Sequence, residues 1–435
     1  MAIGSNVIGG LFAVGLLAGP AAGQDKPAIT LSEAIERAER VQPRVVQAAS
    51  AVKTADARLR SAKGAYLPNL SLTSSAGQFY SEGQRVDPST GQLTTSNSTN
   101  ASLNGSLSTS IELFDGFRRG AESRSARANR ESAVESFEDA RFQQELTTTN
   151  QFFDALAAVQ LVRVREASVR RADEQLKVSI ARLRAGAAIR SDSLRSLVTL
   201  GNARIQLINA ATQLSTAEAN LGRLVGASGP VAAADDSAFY RLGAELDTTA
   251  LRVEALSRSP QVRTAEAAAR AAQAVIGVSR AGYWPTLTLN GSNSVNASEQ
   301  NDYKFLQQRQ ATLAVNWNVF NRFTREQNIA NSRANAENAE ASAGEARRQV
   351  VASLTARLAE FEAAKVRIQI TQTSLAAATE DLRVQQERYR LGVATIVDVL
   401  TSQEALTQSE VDAVNARFDY LRAKAQIQAL IGRKL

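Results

Sequence analysis

The composition of this 435-residue chain excludes most kinds of catalytic chemistry. It is 44% hydrophobic and 21% charged, and it contains neither cysteine nor histidine. Disulfides, thiol nucleophiles, imidazole acid–base catalysis and nearly all zinc, copper or haem sites are therefore excluded, and we expect no metal and no cofactor. The formal net charge is +7, but 50 basic residues are interleaved with 43 acidic ones, as on solvated helix faces. We expect no binding to nucleic acid.

The first 23 residues have the features of a secretory signal peptide. They carry no charged side chain, and an apolar run at 7–18 is followed by Gly19, Pro20 and three small residues. A buried helix or a membrane anchor is the alternative, but the run is too short to span a bilayer and is interrupted by glycines. We expect cleavage before Gln24, and because no cysteine follows, we expect no N-terminal lipid anchor.

An internal duplication is the strongest signal in the sequence. Residues 42–72 match residues 259–289 at a constant offset of 217, and residues 113–117 match 319–323 at an offset of 206. The second offset then holds to the end of the chain, where 224–226 match 430–432. The chain is therefore predicted to contain two copies of one helix, strand, strand, helix, helix unit.

The predicted domains follow from this duplication. After the signal peptide at 1–23, repeat 1 covers 24–226, a linker or equatorial region covers 227–247, and repeat 2 covers 248–435. The elements expected in repeat 1 are helices at 31–66, strands at 68–80 and 102–114, a long helix at 115–185 and a return helix at 191–226. Those expected in repeat 2 are helices at 248–282, strands at 285–297 and 307–320, a long helix at 321–391 and a return helix at 395–432.

The predicted strands alternate apolar and polar residues with a period of two. Leu103 and Leu107 alternate with Ser106 and Ser108, and the second copy repeats the pattern around Leu313. Each run has about ten to thirteen residues, the length that a tilted strand needs to cross a bilayer. Loops rich in Ser, Thr, Asn and Gly are expected between the paired strands, at 81–100 and 297–301.

The predicted long helices carry coiled-coil seams. Apolar residues recur every seven positions in the second copy, at Leu354, Phe361, Ile368, Leu375, Leu382 and Tyr389. No proline interrupts the first copy from 117 to 185, which predicts a helix on the order of 100 Å long. On the helices alone, a plain structural coiled coil is the simpler interpretation.

Strands and helices together predict an assembly of several chains. Strands with an apolar face and a wet face must close into a barrel in a membrane, and known membrane barrels begin at about eight strands. Four strands are too few, whereas three chains supply twelve. Four aromatic residues that border the strands suit a membrane interface, although they could also pack at turns. They are Tyr66, Tyr283, Trp284 and Trp317.

Three motifs resemble the TolC family of outer membrane efflux proteins. They are Tyr-x-Pro-x-Leu-x-Leu at 66–72, Ile-Glu-Leu-Phe-Asp-Gly at 111–116, and Arg-Tyr-Arg-Leu-Gly-Val-Ala-Thr-Ile-Val-Asp-Val-Leu at 388–400. The resemblance extends from about 29 to 432. It implies an α+β fold in which a homotrimer forms a 12-stranded transmembrane β-barrel, continued by a long periplasmic α-helical, coiled-coil barrel.

The same resemblance implies a function and partners. The chain is expected in the outer membrane of a Gram-negative bacterium, in contact with its lipid, as the passive exit duct of a tripartite efflux or type I secretion system. A periplasmic adaptor and an inner-membrane pump of the RND or ABC type are expected to dock and open it. Drugs, metal ions and polypeptides are all compatible substrates.

The resemblance also assigns roles at the end of the helices. Asp192 and Tyr389 match members of the network that holds the periplasmic end shut, and Asp398 matches a constriction aspartate, which favours cations when repeated around an axis. Ala394 stands where an arginine partner is often found and Thr401 where a second aspartate is expected, so Arg190 becomes the candidate partner of Asp192. Alternatively, both aspartates cap helices after a glycine turn.

Two glycines are expected to end the long helices. Gly186 and Gly392 suit the left-handed conformation of a helix C-cap. The resemblance adds a docking surface for the adaptor at these turns. Its expected residues are Gly186, Ala187, Gly392 and Val393.

Two other classes of protein fit parts of the sequence. A periplasmic structural or adaptor coiled coil would explain the helices without a membrane barrel. A glycosidase-like enzyme could act with carboxylates alone, but no pattern brings a pair of acids to one pocket, and no Walker A loop or dinucleotide fingerprint is present. A channel without catalytic activity is therefore the favoured interpretation.

Overall fold

The computed structural model describes residues 26–240, 247–299, 302–433 and 435. The predicted signal peptide at 1–23 lies outside the described residues, as does part of the predicted linker. None of the described helices combines the length and hydropathy needed to cross a membrane.

The same order of elements occurs twice along the chain, as helix, helix, strand, strand, long helix and return helix. In the first half these are α1 (Leu31–Val41), α2 (Pro43–Gly64), β2 (Asn69–Val86), β3 (Leu93–Phe114), α3 (Arg118–Arg184) and α4 (Arg190–Leu224). In the second half they are α5 (Thr248–Arg258), α6 (Pro260–Arg280), β5 (Thr286–Ser298), β6 (Leu306–Asn316), α7 (Thr324–Arg390) and α8 (Ile396–Ile431). Two short strands, β1 (Ala28–Ile29) and β4 (Ala232–Ala233), and 3₁₀ turns at Ser237–Tyr240 and Ala281–Tyr283 complete the described structure.

The four long strands form one antiparallel sheet in the order β2-β3-β5-β6. Leu72 lies opposite Leu107, and Leu289 lies opposite Leu313, so the apolar residues share one face. That face is open: Leu72 is 78% exposed and Val315 70% exposed. Ser, Thr, Asn and Gln side chains cover the other face. The strands with one apolar and one polar face that the sequence predicts therefore pair in a register that keeps the apolar residues on one face of the sheet.

The first hairpin is longer than the sequence pattern suggested. Strands β2 and β3 remain paired as far as Val86 and Leu93, so most of the predicted loop at 81–100 is strand. A tight turn closes it, in which the carboxylate of Asp87 accepts from the amide of Ser89 at 2.9 Å and its backbone carbonyl accepts from the amide of Gly91 at 2.8 Å. The prediction of a loop was wrong because Ser and Thr are common in loops yet also favour strands when a partner strand supplies the hydrogen bonds.

The long helices α3 and α7 have 67 residues each and pack side by side with their return helices. At ~1.5 Å per residue each spans about 100 Å. The predicted seam is mostly buried: Leu354, Phe361, Ile368, Leu382 and Tyr389 are at most 7% exposed. Contacts place the helices in the order α4, α3, α8, α7, which leaves α4 and α7 as the outer edges of a four-helix layer.

The main core lies at mid-height of the helical layer, where the short strands pack on it. Phe152 is fully buried, and Phe153 makes edge-on contacts with Phe152 and Phe239. Strand β1 pairs in parallel with β4 from the predicted linker, and Lys26 forms an ion pair with the buried carboxylate of Glu218. The β1–β4 pair and this ion pair fix the start of the described chain to the end of α4.

The junction between β3 and α3 depends on a glycine. Gly116 adopts φ = +66°, and a Cβ there would lie 2.6 Å from Cβ of Trp284 and 2.8 Å from the carbonyl oxygen of Ala281. Gly186 has φ = +73° but open space around it. A side chain at Gly186 would therefore cost only the strain of a left-handed backbone, whereas one at Gly116 would add a steric clash.

We expect Gly116→Ala to destabilise the protein more than Gly186→Ala. The second change costs about 1–2 kcal/mol for the left-handed conformation, and the first adds about 1–3 kcal/mol for forcing apart the residues at the junction. Comparison of the thermal unfolding midpoints of the two variants tests this. Equal midpoints would contradict the assigned clash with Trp284.

Candidate functional site at the hairpin tips

Each helical hairpin ends in the same glycine turn. Gly186 and Gly392 have φ of +73° and +81°. The amide of Ala187 donates to the carbonyl of Arg182 and the amide of Val393 to that of Arg388, both at 2.9 Å, which is the hydrogen bond of a Schellman motif. All four residues expected to dock a partner, Gly186, Ala187, Gly392 and Val393, are exposed at these turns.

Arg182 joins the two hairpins at their tips. Its guanidinium carbon lies 4.3 Å from the ring centroid of Tyr389, and its NH1 donates to the carbonyl oxygen of the same tyrosine. NH2 also reaches the carbonyl oxygen of Ala187, at 3.5 Å. A cation over a buried ring and two backbone acceptors make this a cross-hairpin latch, which we call the Arg182–Tyr389 latch.

The latch differs from the network expected from the sequence. Tyr389 is 5% exposed, and within the described residues its hydroxyl has no hydrogen-bond partner, so the ring and the backbone carbonyl make the contact. Arg190 is exposed, and its carbonyl accepts from Ser193 at 2.8 Å. The expected pairing of Arg190 with Asp192 is absent among the described residues, which have no ion pair between the two.

Sequence reasoning missed Arg182 because the contact joins residues 207 positions apart. Its position in the chain was the available signal: Arg182 lies in the last turn of α3, about one turn before Gly186, at the height where the second hairpin places Tyr389. An arginine at that height can supply the cation that Ala394 cannot.

Asp398 caps its own helix. Its carboxylate accepts hydrogen bonds from the backbone amide and the hydroxyl of Thr395, at 2.8 and 2.7 Å, and the Thr395 hydroxyl accepts from the amide of Asp398 at 3.3 Å. This is a reciprocal capping box. The hydrogen bond from the Thr395 amide, and then the one from its hydroxyl, lower the pKa of Asp398 below the ordinary aspartate value.

Asp192 occupies the matching position of the first hairpin but plays no such role. Helix α4 follows Ile189, which has no side-chain cap. The half-buried Asp192 takes part through its backbone carbonyl, which accepts from Ser196 at 3.1 Å; Ser196 in turn lies 2.9 Å from Ser179 of α3. The capping alternative therefore holds for Asp398, whereas Asp192 lies beside a serine contact that joins α3 to α4.

Two arginine–carboxylate bridges join α3 to α8 above the tips. Arg171 forms a bidentate bridge to Glu410, at 3.0 and 2.7 Å, and also donates to Thr407 at 3.1 Å. Further along, Arg422 donates to Asp154 at 2.7 Å. Both arginines are partly buried, which strengthens the pairs relative to surface bridges.

The four predicted interface aromatics gather at the end of the sheet that meets the helices. Trp317 follows β6, and its indole nitrogen donates to the carbonyl of Tyr283 at 3.3 Å. Tyr66 and Tyr283 lie beneath Arg119 and Arg325, at 4.9 and 4.0 Å. These four side chains, Tyr66, Tyr283, Trp284 and Trp317, are 44–58% exposed.

The opposite end of the sheet carries aromatic residues that the sequence reasoning missed. Tyr80 and Phe305 are 58% and 68% exposed and lie on β2 and just before β6. From Asn69 to Tyr80 a strand tilted by about 45° rises about 25 Å, which matches the apolar band of a membrane barrel. Aromatic residues therefore lie at both ends of the apolar face.

Comparisons with known proteins decide the family. The model of the outer membrane efflux protein family matches residues 34–227 and 251–433. The chain belongs to this family. The resemblance seen in the sequence motifs is thereby confirmed.

Relatives and solved structures agree with this assignment. Protein CyaE of Bordetella pertussis is 25% identical over 405 residues, covering 92% of this chain and 82% of CyaE. Outer membrane protein TolC of Escherichia coli is 23% identical over 419 residues, with 92% and 82% covered. The crystal structure of the outer membrane protein VceC from Vibrio cholerae superposes with a TM-score of 0.76 at 18% identity, over 93% of this chain and 96% of VceC.

The family membership confirms the predicted fold class, channel function and outer-membrane localisation. The protein is an outer membrane efflux channel that extends into the periplasm, and the alternative of a coiled-coil protein without a membrane barrel is not favoured. Its family is one of transport proteins.

We expect Asp398→Asn to loosen the start of α8, because an amide cannot accept the two hydrogen bonds from Thr395 as strongly as a carboxylate does. The protection of the amides from Thr395 to Val399 against hydrogen exchange, relative to the intrinsic exchange rate at each pH, should fall, and it should also fall in the wild type as the pH falls through the lowered pKa of Asp398.

The matched control is Asp192→Asn, which should leave exchange at the start of α4 unchanged. A lowered carboxyl pKa stabilises the cap above the ordinary pKa, and this stabilisation is lost as Asp398 becomes protonated at lower pH. Equal responses of the two variants would contradict the capping role.

Proposed function

We propose that three copies of this chain form one exit duct. The edge strands β2 and β6 leave unpaired backbone groups on both sides of the four-stranded sheet. An open edge is not tolerated in lipid, and pairing β6 of one chain with β2 of the next closes twelve strands into a barrel.

The helical layer supports the same assembly, because its two outer helices carry exposed apolar stripes. On α4, Val198, Ile205 and Ile208 are 55–65% exposed, and on α7, Val366 and Ile370 are 51% and 59% exposed. The stripes follow the spacing of a coiled-coil seam. Packing α7 of one chain against α4 of the next would bury both stripes and continue the barrel below the membrane.

The observation that carries the gating proposal is the Arg182–Tyr389 latch. It is the cross-hairpin contact closest to the glycine turns, so it holds the two hairpin ends together. Docking of an adaptor at the exposed turns would separate the ends and break the latch. Arg422 lies higher, paired with Asp154, and would keep the hairpins joined.

The remaining partners follow from the lack of an energy source. The sequence has no nucleotide-binding loop, so an inner-membrane pump of the RND or ABC type would drive transport. A periplasmic adaptor would bridge the two and contact Gly186, Ala187, Gly392 and Val393. Tyr66, Tyr283, Trp284 and Trp317 would contact outer-membrane lipid at the periplasmic interface. Asp192, Asp398 and Arg190 would line the aperture.

Removing the latch should open the channel. In planar bilayers we expect Arg182→Met to raise the open probability by about tenfold, because each chain loses a cation–π contact and charged hydrogen bonds. Arg184→Met, an exposed tip arginine two residues away, is the matched control and should leave gating unchanged.

A second variant tests which part of Tyr389 matters. Tyr389→Phe should gate like the wild type, since the hydroxyl is unpaired while the ring and carbonyl carry the contact. Opening by Tyr389→Phe, or unchanged gating in Arg182→Met, would contradict the latch. Channels that never give discrete conductance steps would contradict the proposed duct.

The trimer interface has its own test. Ile205→Asp places a charge in the apolar stripe of α4 and should reduce the trimer fraction measured by light scattering in detergent. Val253→Asp, at an exposed apolar residue of α5 outside the stripe, is the control and should remain trimeric. Equal trimer fractions of the two variants would contradict the placement of the α4 stripe in the trimer interface.

A further inference from the structure

The two hairpin ends differ strongly in charge although they are copies of one unit. Residues 163–195 of the first hairpin contain nine basic and four acidic side chains, a net charge of +5. The matching residues 369–401 of the second hairpin contain three basic and four acidic side chains, a net charge of −1. The two segments together carry +4, and Glu404 and Glu410 of α8, which lie at the height of Arg165 and Arg171, reduce this to +2 per chain, a value that a trimer triples.

Most of the excess charge is not neutralised by ion pairs. Arg171 pairs with Glu410, and Lys177 pairs with Asp173 and Glu174 at 2.8 Å each. Six further arginines have no carboxylate within 4.0 Å anywhere in the part of the chain that the structure describes. They are Arg163, Arg165, Arg170, Arg184, Arg190 and Arg195.

Two of these arginines face a common groove. A groove of about 830 Å³ runs along α3 between α4 and α8, and Arg165 and Arg195 line it together with Thr401 and Glu404. Thr401 is the position where the family resemblance places a pore-lining aspartate, and here it is neutral. Arg171 also lines the groove but is paired with Glu410, so two arginines without a carboxylate partner face one glutamate, with no second aspartate to offset them.

The sheet adds little charge of its own. On the polar face of β2, β3, β5 and β6 the charged residues are Glu112, which pairs with Arg118 at 2.7 Å, and Arg85 near the far end. The remaining side chains on that face are mostly Ser, Thr, Asn and Gln. The hairpin ends are therefore more strongly charged than the barrel.

We propose that the periplasmic entrance is electropositive and admits anions in preference to cations. This inference rests on the proposed function. In a narrow pore the fixed charge sets the local concentration of permeant ions. The positive charge of the arginines without a carboxylate partner exceeds the negative charge of the three Asp398 carboxylates. The substrates that it favours carry carboxylate, sulfate or phosphate groups. The sign is opposite to the one expected from Asp398 alone.

Reversal potentials in a tenfold KCl gradient across a planar bilayer test the proposal. The wild-type channel should pass Cl⁻ over K⁺ by about threefold. Arg165→Glu/Arg195→Glu lowers the net charge at the hairpin ends from +2 to −2 per chain, so its ratio should fall to about one or below. Asp398→Asn should raise the ratio above that of the wild type.

The control is Arg60→Glu in α2, an exposed arginine near the sheet, where the same charge reversal should leave the ratio unchanged. The uncharged Arg165→Gln/Arg195→Gln should give an intermediate ratio, which guards against misfolding of the reversed variant. A wild-type preference for K⁺, or a ratio that the double variants do not change, would overturn the proposal. Absence of any conductance would instead contradict the channel itself.

Discussion

An unpaired strand edge cannot lie in hydrocarbon, and the rest of this structure depends on that constraint. A sheet with one apolar face and two open edges satisfies its backbone only when further copies close it. The proposed closure by three chains would fix the number of helices that continue the tube. It also explains why the exposed apolar stripes lie on α4 and α7, the outer helices of the layer, and not on α3 or α8, whose apolar residues are largely buried within the chain.

The sequence predicted the elements well wherever a periodic pattern spans many residues. Seven-residue spacing from Leu354 to Tyr389 marks a seam that the structure buries, and glycines end both long helices. Strand ends were harder to predict. The extension of β2 to Val86 depends on pairing with β3, and the polar residues there face water on both sides once they leave the membrane. Apolar and polar residues then need not alternate, so no local sequence pattern indicates where the strand ends.

The candidate site was only partly predictable, and the reason is again distance along the chain. The capping of α8 is local, so the spacing of three residues between Thr395 and Asp398 predicts it from the sequence. The Arg182–Tyr389 latch joins residues 207 positions apart. The family pattern drew attention to Asp192 and Arg190, on the same hairpin, because it supplied a role that needed a cation. In the structure a different arginine, Arg182, makes the contact between the two hairpins, and we propose that it takes this role.

Duplication explains how the two hairpins share a backbone and differ in chemistry. The turn after β3 uses Gly116, whereas the turn after β6 places Arg322 in the left-handed conformation at φ = 57°. Asp398 caps its helix and Asp192 does not, and the basic residues accumulate on one hairpin only. Once two copies lie in one chain, each can change its side chains separately while the shared geometry of the turns is kept.

The heights of the cross-hairpin contacts indicate how a small movement can open the end of the duct. Arg422 holds α8 to Asp154 about 32 residues above Gly186, which is about 48 Å along a rigid helix. A tilt of about 10° at that level displaces the tip by about 8 Å, enough to separate Arg182 from Tyr389. The same tilt moves Arg171, 17 residues from Asp154, by about 4 Å, so its bridge to Glu410 must rearrange while the pair of Arg422 and Asp154 stays in place. The partly buried bridge of Arg422 therefore suits a pivot, and the latch at the far end suits a contact that a docking partner breaks.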